Sequence, residues 1–129
     1  MDEATRARHL AFLAEGFWGG LVVHCRKEGC DQAHVYPTGD RYSIRVHDHA
    51  GWRELDMERS TAPIKELIPH LKRLVGCASA ETIPAPGARY VIRLAPKNQI
   101  EVTVTSGRTD AGDEEVNLYL LLEPEWVKP

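Results

Sequence analysis

The sequence predicts an α+β fold, a mainly antiparallel sheet of about six strands packed against an amphipathic helix and N-terminal helices. Three observations carry this. Short segments rich in β-branched and aromatic residues recur from Gln32 to Leu122, several with strict apolar/polar alternation. One stretch in their midst, residues 60–76, switches to helical spacing. The links between successive strands are too short for parallel crossovers, so neighbours must pair antiparallel.

The elements follow in order. Asp2 is a good helix N-cap, and Glu3 places a negative charge at the positive end of the dipole, so a first helix is expected over residues 2–15, with Ala7, Leu10, Ala11 and Ala14 as a modest apolar face. Gly16 and Gly19-Gly20 interrupt it. Leu21 to Lys27 suits either a strand, by its β-branched residues, or a short helix ending at Gly29. Gln32 to Tyr36 reads as a strand, Pro37 to Asp40 as a turn, and Arg41 to His47 as a second strand with Tyr42, Ile44 and Val46 on the covered face. His49-Ala50-Gly51 turns the chain into a third strand, Trp52 to Met57.

The helix between residues 60 and 76 is punctuated at both ends. Ser60 or Thr61 can cap it, Pro63 suits its first turn, and Gly76 suits a left-handed terminus. Ile64, Leu67, Ile68, Leu71, Leu74 and Val75 form its apolar face, and Lys65, Glu66, His70, Lys72 and Arg73 its wet one. Pro69 removes one backbone donor and predicts a kink. Ile83 to Gly87 is too rich in proline for a sheet interior. Arg89 to Ala95 and Ile100 to Thr105 form a hairpin through Pro96-Lys97-Asn98, Gly107 to Glu114 is a polar loop, and Val116 to Leu122 is apolar enough to be a central strand.

Composition bounds the function. A chain of 129 residues can bury a core without metal or disulfide help. Sixteen basic and nineteen acidic residues are interspersed for a net charge of −3, which argues against a broad nucleic-acid surface. Cys25, Cys30 and Cys77 have no framework spacing, the N-terminus is acidic where a signal peptide is basic, and no apolar run reaches the ~18 residues of a membrane span. A soluble cytoplasmic protein with reduced thiols is expected.

Gly29-Cys30-Asp31-Gln32-Ala33-His34-Val35-Tyr36-Pro37 resembles the Gly-Ala-Ser-Asp-Ile-His-Ile-Glu-Pro segment that opens the PAS-like N-terminal domain of the type II secretion and type IV pilus ATPases. The resemblance continues through Arg45, Arg53-Glu54-Leu55, the helix ending Leu71-Lys72-Arg73-Leu74-Val75-Gly76, then Ala80-Glu81, Gly87-Ala88-Arg89, Ile92-Arg93-Leu94 and the strands from Ile100 to Leu121. It implies a PAS-like domain over residues 29–122, preceded by a helical segment at 1–28 that packs on it and followed by a tail at 123–129. It also implies a helix for Gly20 to Glu28. The departures are informative. No Gly-x-x-x-x-Gly-Lys-Ser/Thr loop occurs, so ATP hydrolysis is not expected. The family directs arginines toward nucleotide, and Arg45 matches one, but His47 and Thr103 stand where arginine is usual. The usual Asp-Gly turn is displaced to His49-Ala50-Gly51, and the Pro-Gln-Asp-Gly-Arg run is Ala85-Pro86-Gly87-Ala88-Arg89. A charge-assisted grip on phosphate is thereby weakened.

Candidate chemistry follows from residue type. Arg45, His47, Arg89 and Arg93 would form an anion or nucleotide site if their strands were neighbours, and would otherwise make cross-strand pairs with Glu54, Glu101 or Asp56. His47 and His49 beside Cys25, Cys30 and His34 suggest zinc, but no Cys-x-x-Cys spacing supports it, and no metal or cofactor is expected. Cys25, near Arg26 and Lys27, reads as a small buried residue rather than a catalytic thiol. Trp52 and Trp126 read as packing anchors, although an exposed tryptophan would suit a protein contact, for which Trp52 and Arg53 are the candidates. The leading expectation is a non-catalytic interaction or regulatory module that docks on a protein partner, such as a secretion or pilus ATPase or a second copy of itself. The alternative is a small-molecule or nucleotide sensor with a pocket between helix and sheet. A small metal-dependent enzyme is the third class.

Overall fold

The computed structural model describes residues 2–38, 41–55, 64–78, 81–95 and 98–121, with side chains except at 7, 10–14, 64–65, 93–95 and 98. Ser60, Thr61, Pro63, Asp56, Met57, the Pro96-Lys97 turn, Trp126 and the 123–129 tail lie outside the described residues. The first element is a single helix, α1 (Glu3–Glu28), where the sequence predicts two. Asp2 caps it, its carboxylate accepting from the Thr5 N–H at 2.7 Å, and Gly29 closes it at φ 74, donating to the Arg26 carbonyl. The glycines at 16, 19 and 20 each cost about 1 kcal/mol relative to alanine. Against that, Trp18, Leu21, Val22 and Cys25 recur at i, i+3, i+4 and i+7 straight across them and are fully buried. Each large apolar side chain so buried returns about 1.5–3 kcal/mol, so the packed face overrides the breaks.

Six antiparallel strands form one sheet in the order β3-β2-β1-β6-β5-β4. They are β1 (Gln32–Thr38), β2 (Arg41–Asp48), β3 (Gly51–Glu54), β4 (Ala88–Ala95), β5 (Asn98–Arg108) and β6 (Glu114–Leu120). The last strand is central, as its apolar sequence predicts, and pairs with the first. β1 runs on through Pro37, which the sequence assigns to a turn. Pairing to β6 stops at Val35, so on that side the missing proline N–H breaks no ladder bond. β5 and β6 likewise extend into the predicted polar loop, with Gly107 opposite Glu115 and Arg108 opposite Glu114, leaving only 109–113 as the connection. The extension is held from outside. Ile83 donates to Ser106 Oγ and accepts from the Ser106 N–H, clamping the proline-rich link along β5.

The second helix, α2 (Ile64–Leu74), contains Pro69. Its Leu67, Ile68 and Leu71 are buried with the α1 residues against Ala33, Val35, Ile44, Val46, Ile100, Val102, Val104, Val116, Leu118 and Leu120, so both helices cover the same sheet face. Two residues depart from the predicted faces. Leu74, expected on the covered face, is 36 % exposed. Lys72, expected in water, has no exposed surface, because it stands four residues after Ile68 on the flank of the buried stripe and meets Glu114 at the start of β6. Among the described residues no helix is long and apolar enough to cross a membrane.

Candidate functional site

With both helices on one face, strand alternation turns the other face outward, and the ladder registers arrange it in rows. One row runs Glu54 (β3), Arg45 (β2), His34 (β1), Asn117 (β6) and Thr105 (β5). The next runs Trp52, His47, Gln32, Tyr119, Thr103 and Arg89. The β3-β2-β1 end of these rows holds an aromatic and charged cluster. The Arg45 guanidinium carbon lies 4.7 Å from the Trp52 ring centre and 5.3 Å from that of Tyr36. Each contact is a cation–π attraction, about 0.5–1 kcal/mol when exposed and more when dry. His34 stacks on Tyr36 at 5.0 Å and 25°, and meets Trp52 edge-on.

Polar bonds fix these rings. Arg45 Nε donates to His34 Nδ1 at 2.9 Å, and His34 Nε2 approaches Glu115 Oε2 at 3.4 Å. The Tyr36 hydroxyl donates to Glu54, which raises the phenol pKa. His47 Nδ1 lies 2.8 Å from Asp31 Oδ1, with its ring 5.2 Å from Trp52. Burial first, and then the Arg45 charge, hold the His34 pKa below its ordinary value, with Glu115 pulling the other way. Trp52 is 43 % exposed, whereas the His34 side chain is only 12 % exposed. The cluster therefore presents a rigid aromatic rim over a largely desolvated imidazole.

The predicted anion site of Arg45, His47, Arg89 and Arg93 does not assemble. β2 and β4 are four strand spacings apart, about 19 Å. His47 and Arg89 end up in one row but four strands apart, and Arg89 pairs with Glu101, the cross-strand partner the sequence offers. Arg93 is placed on β4 opposite Gln99. Trp52 and Arg53 also part company, because neighbours on a strand face opposite ways. Arg53 binds Asp48 and reaches Cys30 Sγ at 3.6 Å at the helix-side edge of the sheet. The Ala50 N–H first, and then Arg53, hold the Asp48 carboxyl below its usual range.

The zinc candidates divide between faces. Cys25, on the buried face of α1, and Cys30, just after that helix, belong to the core, and His34 and His47 lie on the outer face. Among the described residues no group of three or more His, Cys, Asp or Glu side chains is placed to hold a metal ion. Burial pushes the Cys25 thiol up to about 12, with Cys30 adding to the shift. Between the helices and the sheet, Trp18, Leu21, Leu67, Leu71 and Leu118 occupy the core. A cleft of about 200 Å³ opens at the surface instead, lined by Glu15, His70, Arg73 and Leu74.

Tyr36 and Glu115 are members of the outer cluster that the sequence does not single out. Alternation puts Tyr36 on the same face as His34, which is a usable signal, but that β6 neighbours β1 is invisible to periodicity. No protein-family model matches the chain, and no curated protein matches it.

Proposed function

We propose that this chain is a non-catalytic interaction module that docks on a protein partner through the outer face of β1, β2 and β3. The observation that carries the reading is the half-exposed Trp52, stiffened by Arg45 and His47 against its ring, on a sheet face left open by both helices. Tryptophan, tyrosine and arginine held rigidly are the residue types that dominate binding energy at protein interfaces. The resemblance to the PAS-like N-terminal domain of secretion and pilus ATPases supports a partner of that machinery, or a second copy of the chain. An antiparallel sheet with helices on one face is compatible with that assignment.

The sensor alternative has less support. Trp18, Leu21, Leu67 and Leu71 are fully buried between helix and sheet, and the cleft lined by Glu15 of α1 and His70, Arg73 and Leu74 of α2, about 200 Å³, falls below the ~300–1,000 Å³ of small-molecule sites. The test is site-specific photo-crosslinking in the native host, with the photoreactive residue at Trp52 and, separately, at Glu66, exposed on α2 on the helix-covered side of the sheet. A discrete protein adduct from position 52 and none from position 66 supports docking. Identical adduct patterns from both, or none from either together with a monomeric pure protein, would overturn it.

A further inference from the structure

We propose that His34 is a proton-operated catch on Arg45. When neutral it holds the guanidinium between Tyr36 and Trp52, and when protonated it lets the guanidinium go, so the outer face changes shape between neutral and mildly acidic conditions. As a regulatory device it rests on the reading of that face as the docking surface.

The chemistry follows from the hydrogen inventory. An arginine Nε carries a hydrogen at any pH a protein survives, so its 2.9 Å contact with His34 Nδ1 requires a lone pair on that nitrogen. The hydrogen of the neutral ring is then on Nε2, on the side of Glu115 Oε2. A second proton can enter only at Nδ1. Two N–H groups and two positive charges would then confront each other with no acceptor between them, and Arg45 must withdraw. Its withdrawal also removes the cation from both aromatic faces, because the same guanidinium makes all three contacts.

Every neighbouring element contributes a charged or titratable group. From β2 come Arg45 and, one row along, His47 with its partner Asp31. β3 supplies Glu54, engaged by the Tyr36 hydroxyl, and β6 supplies Glu115. Only Arg45 meets the ring as an obligate donor. His47 differs in kind, since its Nδ1 faces an acceptor, the Asp31 carboxylate, rather than a donor. Burial and then the Arg45 charge delay the protonation of His34 to below its ordinary value, and Glu115 pulls the other way.

The experiment follows the Arg45 Nε–H and Trp52 indole N–H resonances of the full chain by NMR from pH 8 to pH 5, with backbone amides reporting that the fold is intact. Expected is a slowly exchanging Arg45 signal at neutral pH, lost in one transition below the ordinary imidazole midpoint, with Trp52 following the same curve. Glu115→Gln should lower that midpoint. His34→Gln, whose amide oxygen can still accept from Arg45, should abolish the transition, and His47→Gln should leave it in place. An Arg45 signal that does not respond to pH in a folded protein would overturn the proposal. So would a midpoint unmoved by Glu115→Gln, or a transition removed by His47→Gln. If the transition is present but no adduct forms at position 52, the docking surface fails and the catch stands. An adduct at position 52 without a transition overturns the catch and leaves the docking surface standing.

Discussion

Lys72 Nζ sits 2.6 Å from Glu114 Oε2, joining a helix residue with no exposed surface to the first residue of β6. Removing one partner of a buried pair leaves the other charge stranded, at a typical cost of about 3–5 kcal/mol. Lys72→Ala should lose stability on that scale in urea unfolding. Lys72→Met combined with Glu114→Leu should recover most of it, because a matched apolar pair avoids the desolvation of both ions.

Trp18 anchors α1 to α2. Its indole N–H donates to the Leu67 carbonyl at 3.0 Å, and its ring is fully buried. Trp18→Phe should cost about 1–2 kcal/mol, chiefly the hydrogen bond. Trp18→Ala should cost about 3–5 kcal/mol, because a cavity is added. Denaturant melts of the two variants against the parent separate these contributions.

Two glycines should respond in opposite directions. Gly87 adopts φ 93, and a Cβ there would stand 2.7 Å from the Val104 carbonyl oxygen, so Gly87→Ala should destabilise the fold by about 1–3 kcal/mol. Gly16 is helical and exposed, with nothing near its missing Cβ, so Gly16→Ala should stabilise it by about 0.5–1 kcal/mol. Thermal melts of both check the pair.

The thiols should separate by burial. In the native protein at pH 8 an aromatic disulfide reagent should label Cys77 and spare Cys25 and Cys30 until denaturant is added. Because the folded-state pKa of Cys25 is raised from 9.0 to about 12, the fold binds a proton the unfolded chain has released. Its contribution is therefore intact below pH 9 and declines as pH rises from 9 toward 12. Cys25→Ala should flatten that alkaline decline in a pH series of urea midpoints.

Much of the architecture is legible in the sequence because it depends on local periodicity. The faces of β2 and β5 and the buried Leu67, Ile68 and Leu71 follow from spacing, and the central place of β6 from its apolar content. The continuous α1 is legible too, in the 18, 21, 22, 25 pattern, but three glycines obscure it. The outer cluster is only half legible. Alternation tells which face a residue takes, not which strand lies beside it, so Arg45 and Arg89 share a predicted site although the sheet separates them. Lys72 departs from its predicted wet face for a related reason. Its buried acid partner arrives from β6, far along the chain, and no local pattern announces it.

Gln32 and Asn117, hydrogen-bonded side chain to side chain, are 85 positions apart in the chain. They belong to β1 and β6, the seam where the two three-stranded halves of the sheet meet. Closing a loop of that length precedes any reward from the contact, so this topology should fold more slowly than a helical protein of equal size. It also divides the chain into two complementary pieces. Severed between β3 and α2, each piece would expose one long, apolar strand edge that fits the other, and the two should reassemble when mixed while neither folds alone.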